Sequence, residues 1–151
     1  MHFPMKIEKF LRTTPLFTLF VAYDEIIGDF QKRISKEEVH FLQALILTGL
    51  FFEDRAVRPS ELAKVLRTGK SNLSHAIRGL EKAGLVHRAT IQEDARAYLF
   101  TLTREGKKKV PRLIKIFDSA QEQIEAALGH KRLNPSLHLF IEIYRKIKFS
   151  T

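Results

Sequence analysis

The stretch from Pro59 to Thr103 constrains the fold more than any other part of the chain. Leu73, Ala76, Ile77 and Leu80 recur within it at helical spacing, and Gly84 stops the pattern in the manner of a left-handed cap. Leu85-Val86-His87 then begins a strand, and Ala97 to Leu102 alternates as its return partner. Between them Ile91 to Arg96 reads as a projecting loop, too polar for a core. Ahead of the helix, Pro59-Ser60 opens a shorter one, with Ser60 as its cap and Leu62, Ala63 and Leu66 facing inward. Arg67, Thr68 and Gly69 form the turn between the two. A helix, a tight turn, a second helix and a hairpin in that order predict a helix-turn-helix with a wing.

The second of these helices is expected from Lys70 to Ala83. With Leu73, Ala76, Ile77 and Leu80 turned inward, Ser71, His75, Arg78 and Lys82 fall on the opposite face, and Asn72 and Ser74 on its flanks. Those side chains suit a nucleic-acid surface. An arginine such as Arg78 pairs bidentately with guanine, and Asn72 and His75 can donate or accept at base edges. Lys70, Ser71 and Ser74 suit phosphates near the helix start. Lys82 and Arg88 complete the basic set, with Arg96 at the wing tip and Asp94 placed to pair within the loop. The charge distribution supports this reading. The chain carries +9 overall, and Arg55 to Lys109 holds thirteen Lys/Arg against five Asp/Glu, so nearly all the excess sits here.

The flanking segments are helical and apolar. Met1 to Thr14 reads as a short helix or arm, with Phe3, Ile7, Phe10 and Leu11 available for packing. Thr14-Pro15 reads as a cap and first helical position, followed by Leu16, Leu19, Phe20, Tyr23, Ile26, Ile27, Phe30 and Ile34 at helical spacing. Ser35 and Glu38 match a capping box opening the next helix, whose Val39–Phe52 stretch is apolar almost all round and is expected to be buried. Thr103 is expected to cap a long helix with Val110, Leu113, Ile114, Phe117, Ala120, Ile124, Ala127 and Leu128 on one stripe. Pro111 is expected to kink or interrupt it. Gly129 closes that helix, and Asn134-Pro135 is read as the start of the last, with Leu137, Phe140, Ile141, Tyr144 and Ile147 on its apolar face.

The runs Glu61-Leu62-Ala63, Leu80-Glu81-Lys82-Ala83-Gly84-Leu85-Val86-His87-Arg88, Asp94-Ala95-Arg96 and Leu102-Thr103-Arg104-Glu105-Gly106 resemble the multiple antibiotic resistance regulator (MarR) family. The resemblance implies a mainly α fold with a small β-hairpin wing, in which residues 36–106 form a winged helix-turn-helix. It also implies helical dimerisation regions over 1–34 and 107–151 within one domain. The implied function is sequence-specific transcriptional regulation by a homodimer on a palindromic operator in double-stranded DNA. Each reading helix would enter a major groove, and the wing arginine, Arg96, would reach a minor groove. A small, often aromatic effector between the dimer region and the reading module is a third implied partner. Two features depart from the family pattern. Gly69 replaces the usual Ser/Thr cap, and the wing carries one arginine after Asp94 where relatives often have more.

Other classes are less well supported. The absence of cysteine excludes disulfides and zinc-thiolate sites and suits a cytoplasmic address. Lys6, Lys9 and Arg12 precede an apolar run as in a secretory signal, but Asp24, Glu25 and Asp29 follow at helical spacing with no small-residue cleavage site. No run reaches the length of a membrane span. Phosphate-binding glycine loops and hydrolase or zinc-protease motifs are missing, so no enzyme and no cofactor are expected. The six histidines form no compact ligand set, and no metal site is expected. Two alternatives stand beside the main reading: a winged helix used for protein–protein assembly, and a DNA-binding regulator with no small effector. Phe17, Phe20, Phe41, Phe51 and Phe52 are read as core and interface residues before pocket-lining ones.

Overall fold

The computed structural model describes residues 7–91 and 94–146. Its elements are α1 (Ile7–Thr13), α2 (Pro15–Ile34), a single 3-10 turn (Ser35–Glu37), α3 (Phe41–Glu53), α4 (Pro59–Val65) and α5 (Lys70–Lys82). They continue with β1 (Val86–Ile91), β2 (Asp94–Leu102), α6 (Arg104–Leu128) and α7 (His130–Lys146). The chain divides into two compact units, Met1–Leu113 and Ile114–Thr151, with the boundary inside α6.

The core of the first unit is built from the stripes that the sequence predicts. Ile34, Ile46, Leu47, Leu73, Leu80, Phe100, Val110 and Leu113 are all fully buried. β1 and β2 pair antiparallel, with Arg88 opposite Phe100 and Val86 opposite Leu102. Phe100 also pairs with Val57 through two backbone hydrogen bonds of 2.9 and 3.0 Å, so the connection before α4 contributes a one-residue third strand.

Both helices of the helix-turn-helix end in the same way. Arg67 has φ +50° after α4, and Gly84 has φ +68° after α5. The following amide reaches five residues back in each case, Thr68 to the Ala63 carbonyl at 3.1 Å and Leu85 to the Leu80 carbonyl at 2.9 Å. This is the Schellman arrangement, which satisfies carbonyls that the helix end would otherwise leave bare. Gly84 takes the left-handed conformation at no steric cost, whereas Arg67 carries a penalty of about 1 kcal/mol.

The start of α6 is locked onto the start of β1. Thr103 donates its backbone N–H to the Leu85 carbonyl at 3.0 Å and its hydroxyl to the Gly84 carbonyl at 2.7 Å. The same hydroxyl accepts from the Gly106 N–H at 3.0 Å, so Thr103 caps α6 as expected. The helix approaches so closely that a Cβ on Gly106 would lie 2.1 Å from the Leu85 carbonyl oxygen.

Several local expectations are corrected. The Ser35/Glu38 box does not open α3. Ser35 lies in the 3-10 turn and Glu38 has φ 58°, so the helix starts after His40, whose N–H donates to Gln43 Oε1 at 2.9 Å. α4 is capped at Arg58 rather than Ser60, because Pro59 already has the φ of a first helical residue and Glu61 Oε1 lies 3.4 Å from the Arg58 N–H. α3 is not buried all round. Ala44, Ile46, Leu47 and Leu50 face inward, but Phe52 is 70% exposed at the end of the helix, where the chain turns away. Phe20, at 61% exposure, is likewise outside the core of this chain.

The remaining corrections concern the wing and the last two helices. β1 extends through Ile91 and β2 begins at Asp94, so the residues read as a loop, Ile91 to Arg96, are mostly strand. The ladder runs in register as far as Thr90 opposite Tyr98, and a register shift follows before Ile91 pairs with Asp94. Pro111 does not interrupt α6. The one lost backbone bond is outweighed by the fully buried Val110 and Leu113 on either side. In the second unit, Gly129 at φ +68° closes α6 as expected, but α7 starts at His130 and contains Pro135, because the two residues after Gly129 are already helical. Leu133 is buried, whereas Leu137 and Ile141 are about half exposed.

The contact at Gly106 makes a direct prediction. Gly106→Ala should lower unfolding stability by about 3 kcal/mol, despite alanine's better helix propensity, because the added methyl meets a backbone oxygen. The midpoint of urea unfolding checks it, and an unchanged midpoint would refute the proposed clash.

Candidate nucleic-acid interface

α5 presents the face predicted for it. Leu73, Ala76, Ile77 and Leu80 are buried, while Lys70, Ser71, Asn72, Ser74, His75, Arg78 and Lys82 are all exposed. Gly69 is the N-cap residue, in an extended conformation and without a side-chain hydrogen bond, and its carbonyl accepts from the Leu73 N–H at 3.0 Å. The middle of α5 is tethered by a residue that sequence reasoning missed. Gln43 accepts from the His40 N–H through Oε1 and donates through Nε2 to the Ala76 carbonyl at 3.2 Å. Gly79 leaves room for that amide, since a Cβ there would lie 2.5 Å from Gln43 Nε2. A glutamine in an apolar run and a glycine in a helix were the only sequence signs of this tether.

Grooves run along both sides of the helix. One is lined by Ser71, Asn72, His75, Arg78 and Lys82 together with His40 and Gln43. The other is lined by Ser71, Ser74, Arg78, Pro59, Arg88 and Tyr98. Ser71 and Arg78 thus border both grooves. Next to the second groove, Arg58, Ser60, Lys70, Ser74 and Tyr98 surround a further depression at the helix start.

Charge is distributed unevenly between the helix and its surroundings. Around the module, several basic side chains are matched. Arg55 pairs with Glu61 at 2.8 Å and Glu53 at 3.0 Å, Lys108 with Glu105 at 2.8 Å, and Lys107 with Asp54 at 4.0 Å. Arg55 holds the Glu61 carboxyl below the usual carboxylate range, and Lys108 does the same for Glu105. On α5, Lys70, Arg78 and Lys82 form no ion pair with any described residue. A cluster of cations left without counter-charges is suited to a polyanion, whose condensed counterions would be released on contact.

Arg88 differs from these. Its guanidinium carbon lies 4.1 Å from the Tyr98 ring centroid, and its Nε is 3.5 Å from Glu81 Oε1. Asp94 and Arg96 are in β2, but their side chains lie outside the described residues. Among the described residues no three histidine or acidic side chains gather as a metal site would require, and no helix is long and apolar enough to cross a membrane.

Comparison with known proteins places this arrangement. Residues 39–106 match the family model described as a winged helix DNA-binding domain. Over 70 residues the chain is 37% identical to the HTH-type transcriptional regulator PrsX of Escherichia coli, covering 46% of this chain and 42% of that protein. The match therefore spans less than half of PrsX. A longer match, 26% identical over 122 residues, covers 79% of this chain and 83% of the HTH-type transcriptional regulator YdcH of Bacillus subtilis. The fold is similar to that in the crystal structure of the S. aureus MepR–DNA complex, with a TM-score of 0.82 and 19% identity over 89% of this chain and 98% of that one. With the wing, the paired helices and the Thr103–Gly106 lock in place, residues 39–106 are similar in sequence to a winged helix DNA-binding domain, and the chain shares the fold of MepR.

Proposed function

We propose that this protein is a sequence-specific DNA-binding transcriptional regulator in which α5 enters the major groove. The observation that carries this reading is the face of α5 itself. Every exposed side chain along it is polar or basic, and its three cations lack partners among the described residues. In this reading Arg78 addresses guanine, and Asn72 and His75 meet neighbouring base edges. Lys70, Ser71, Ser74 and Lys82 hold phosphates. Arg96 enters the minor groove from the wing, with Asp94 steadying it. MepR, a protein of similar fold, has been crystallised with DNA, which supports the same use of the fold here. The rival reading as a protein-assembly surface lacks support on α5, because such a surface is expected to present apolar or aromatic anchors.

The partner in assembly is, in this proposal, a second copy of the chain. Leu16, Phe20, Tyr23 and Ile26 recur along α2, and each is more than half exposed. A stripe of that size on a small protein marks an interaction surface. The second unit also exposes apolar side chains, with Leu137, Leu139 and Ile141 each about half exposed. A homodimer would place two α5 helices on two half-sites, so a palindromic operator about one helical turn between centres is the matching target. The edge-to-face rings of Phe51 and Phe52, 5.9 Å apart, offer aromatic surface for a small aromatic effector.

Three outcomes test the proposal. Binding to native promoter fragments should exceed binding to random duplex and weaken steeply with salt, and a gel-shift titration with equal affinity for both would refute specific reading. Arg78→Ala should cost about 1–3 kcal/mol and relax base preference, whereas Arg96→Ala should weaken all sequences alike; affinities across operator variants separate the two. Phe20→Glu combined with Ile26→Glu should convert a dimer to a monomer in sedimentation equilibrium and lower operator affinity at least tenfold, roughly the loss of one half-site's contribution. A wild-type monomer would reject the homodimer.

A further inference from the structure

We infer that Arg88 is a positioning residue that pins the wing to the end of the reading helix, and that it is not itself a DNA contact. This rests on the DNA-binding reading above. From sequence alone Arg88 looks like one more phosphate ligand, since it is basic and adjacent to the reading helix. Its surroundings point elsewhere. The guanidinium lies over the Tyr98 ring at 4.1 Å and within 5.7 Å of the Phe100 ring, while its Nε is 3.5 Å from Glu81 Oε1. Tyr98 and Phe100 belong to β2, Arg88 to β1 and Glu81 to the last turn of α5. One side chain therefore touches three elements.

The same geometry separates Arg88 from the DNA-facing cations. Its charge is already answered by a carboxylate that is only 27% exposed, and one face of its planar head is covered by an aromatic ring. To reach a phosphate it would have to leave both partners. Arg78, on the same groove, has neither among the described residues. Tyr98 lines that groove and the depression beside Lys70 and Ser74. Holding Tyr98 in place fixes the wall against which the start of α5 is set, and with it the angle between wing and helix. Arginine suits this task better than lysine because its flat head can stack and bond at once.

The test compares Arg88→Met, Arg88→Lys and Tyr98→Leu by operator affinity over a range of salt, with circular dichroism to confirm folding. A positioning role predicts that Arg88→Met weakens binding about threefold to tenfold with the salt slope unchanged. Arg88→Lys should fail to restore affinity although it keeps the charge. Arg88→Met together with Tyr98→Leu should be no worse than either alone, since both remove the same contact. A slope reduced by about one, full rescue by lysine, or additive losses would overturn the proposal and return Arg88 to the phosphate ligands. Hydrogen exchange in the free protein gives a readout independent of DNA. Backbone amides of β1 and of 98–102 should lose protection in Arg88→Met and in Tyr98→Leu, and unchanged protection would also overturn the proposal. Wild-type protein without salt-dependent DNA binding would instead refute the DNA reading, leaving the exchange result to decide the pinning role.

Discussion

The first unit depends on the carbonyl of Leu85. It accepts the Thr103 backbone N–H and lies directly over Gly106, where a side chain of any size would collide with it. Through that one group the end of α5, the first strand and the start of α6 are brought to a common point. The Thr103 hydroxyl closes the arrangement by bonding both the Gly84 carbonyl and the Gly106 amide. The three elements are consequently positioned by short bonds between backbone groups and one hydroxyl. Such bonds tolerate much less variation than contacts between flexible side chains.

α5 is held at three places along its length. Its start follows the left-handed turn at Arg67, its middle is tethered by Gln43, and its end is fixed by Gly84. Each hold is to the backbone of the helix or of the turns beside it, which leaves the exposed side chains free of structural duties. This division separates the residues that orient the helix from those offered to a partner. Arg88 lies on the orienting side of the division although its chemistry would suit either.

How far this was legible depended on the range of the interaction concerned. The buried stripe of α5, the left-handed Gly84, the Thr103 cap and the hairpin after Leu85 are written in neighbouring residues, and periodicity or turn chemistry reveals them. The exposed polar and basic face of α5 was equally legible, because it is the complement of that stripe. What escaped were contacts across sequence distance. The Gln43 bond to Ala76, the Val57 pairing with Phe100 and the partners of Arg88 each join segments that no local pattern connects. The misplaced caps of α3 and α4 have a related cause. Several residues at each helix start could serve as caps, and Glu61 three residues on selected Arg58 over Ser60. Ser35, which also has Glu38 three residues on, is instead taken into a 3-10 turn ended by the left-handed Glu38, leaving His40 and Gln43 to open α3. Pro111 and Pro135 were overweighted, since a proline's local cost is set against burial elsewhere on the helix.

The unmatched cations of α5 also bear on the protein in the absence of any partner. Arg78 and Lys82 lie four residues apart, one above the other on the helix, where like charges repel by about 0.2–0.5 kcal/mol. The free helix is thus held under mild electrostatic tension by its three tethers. Any polyanion that screens the repulsion, specific or not, relaxes that tension and shifts the folding equilibrium toward the native chain. Partner binding and folding stability are therefore linked through the same few charges, and the helix is at its least stable when it stands unoccupied in dilute salt.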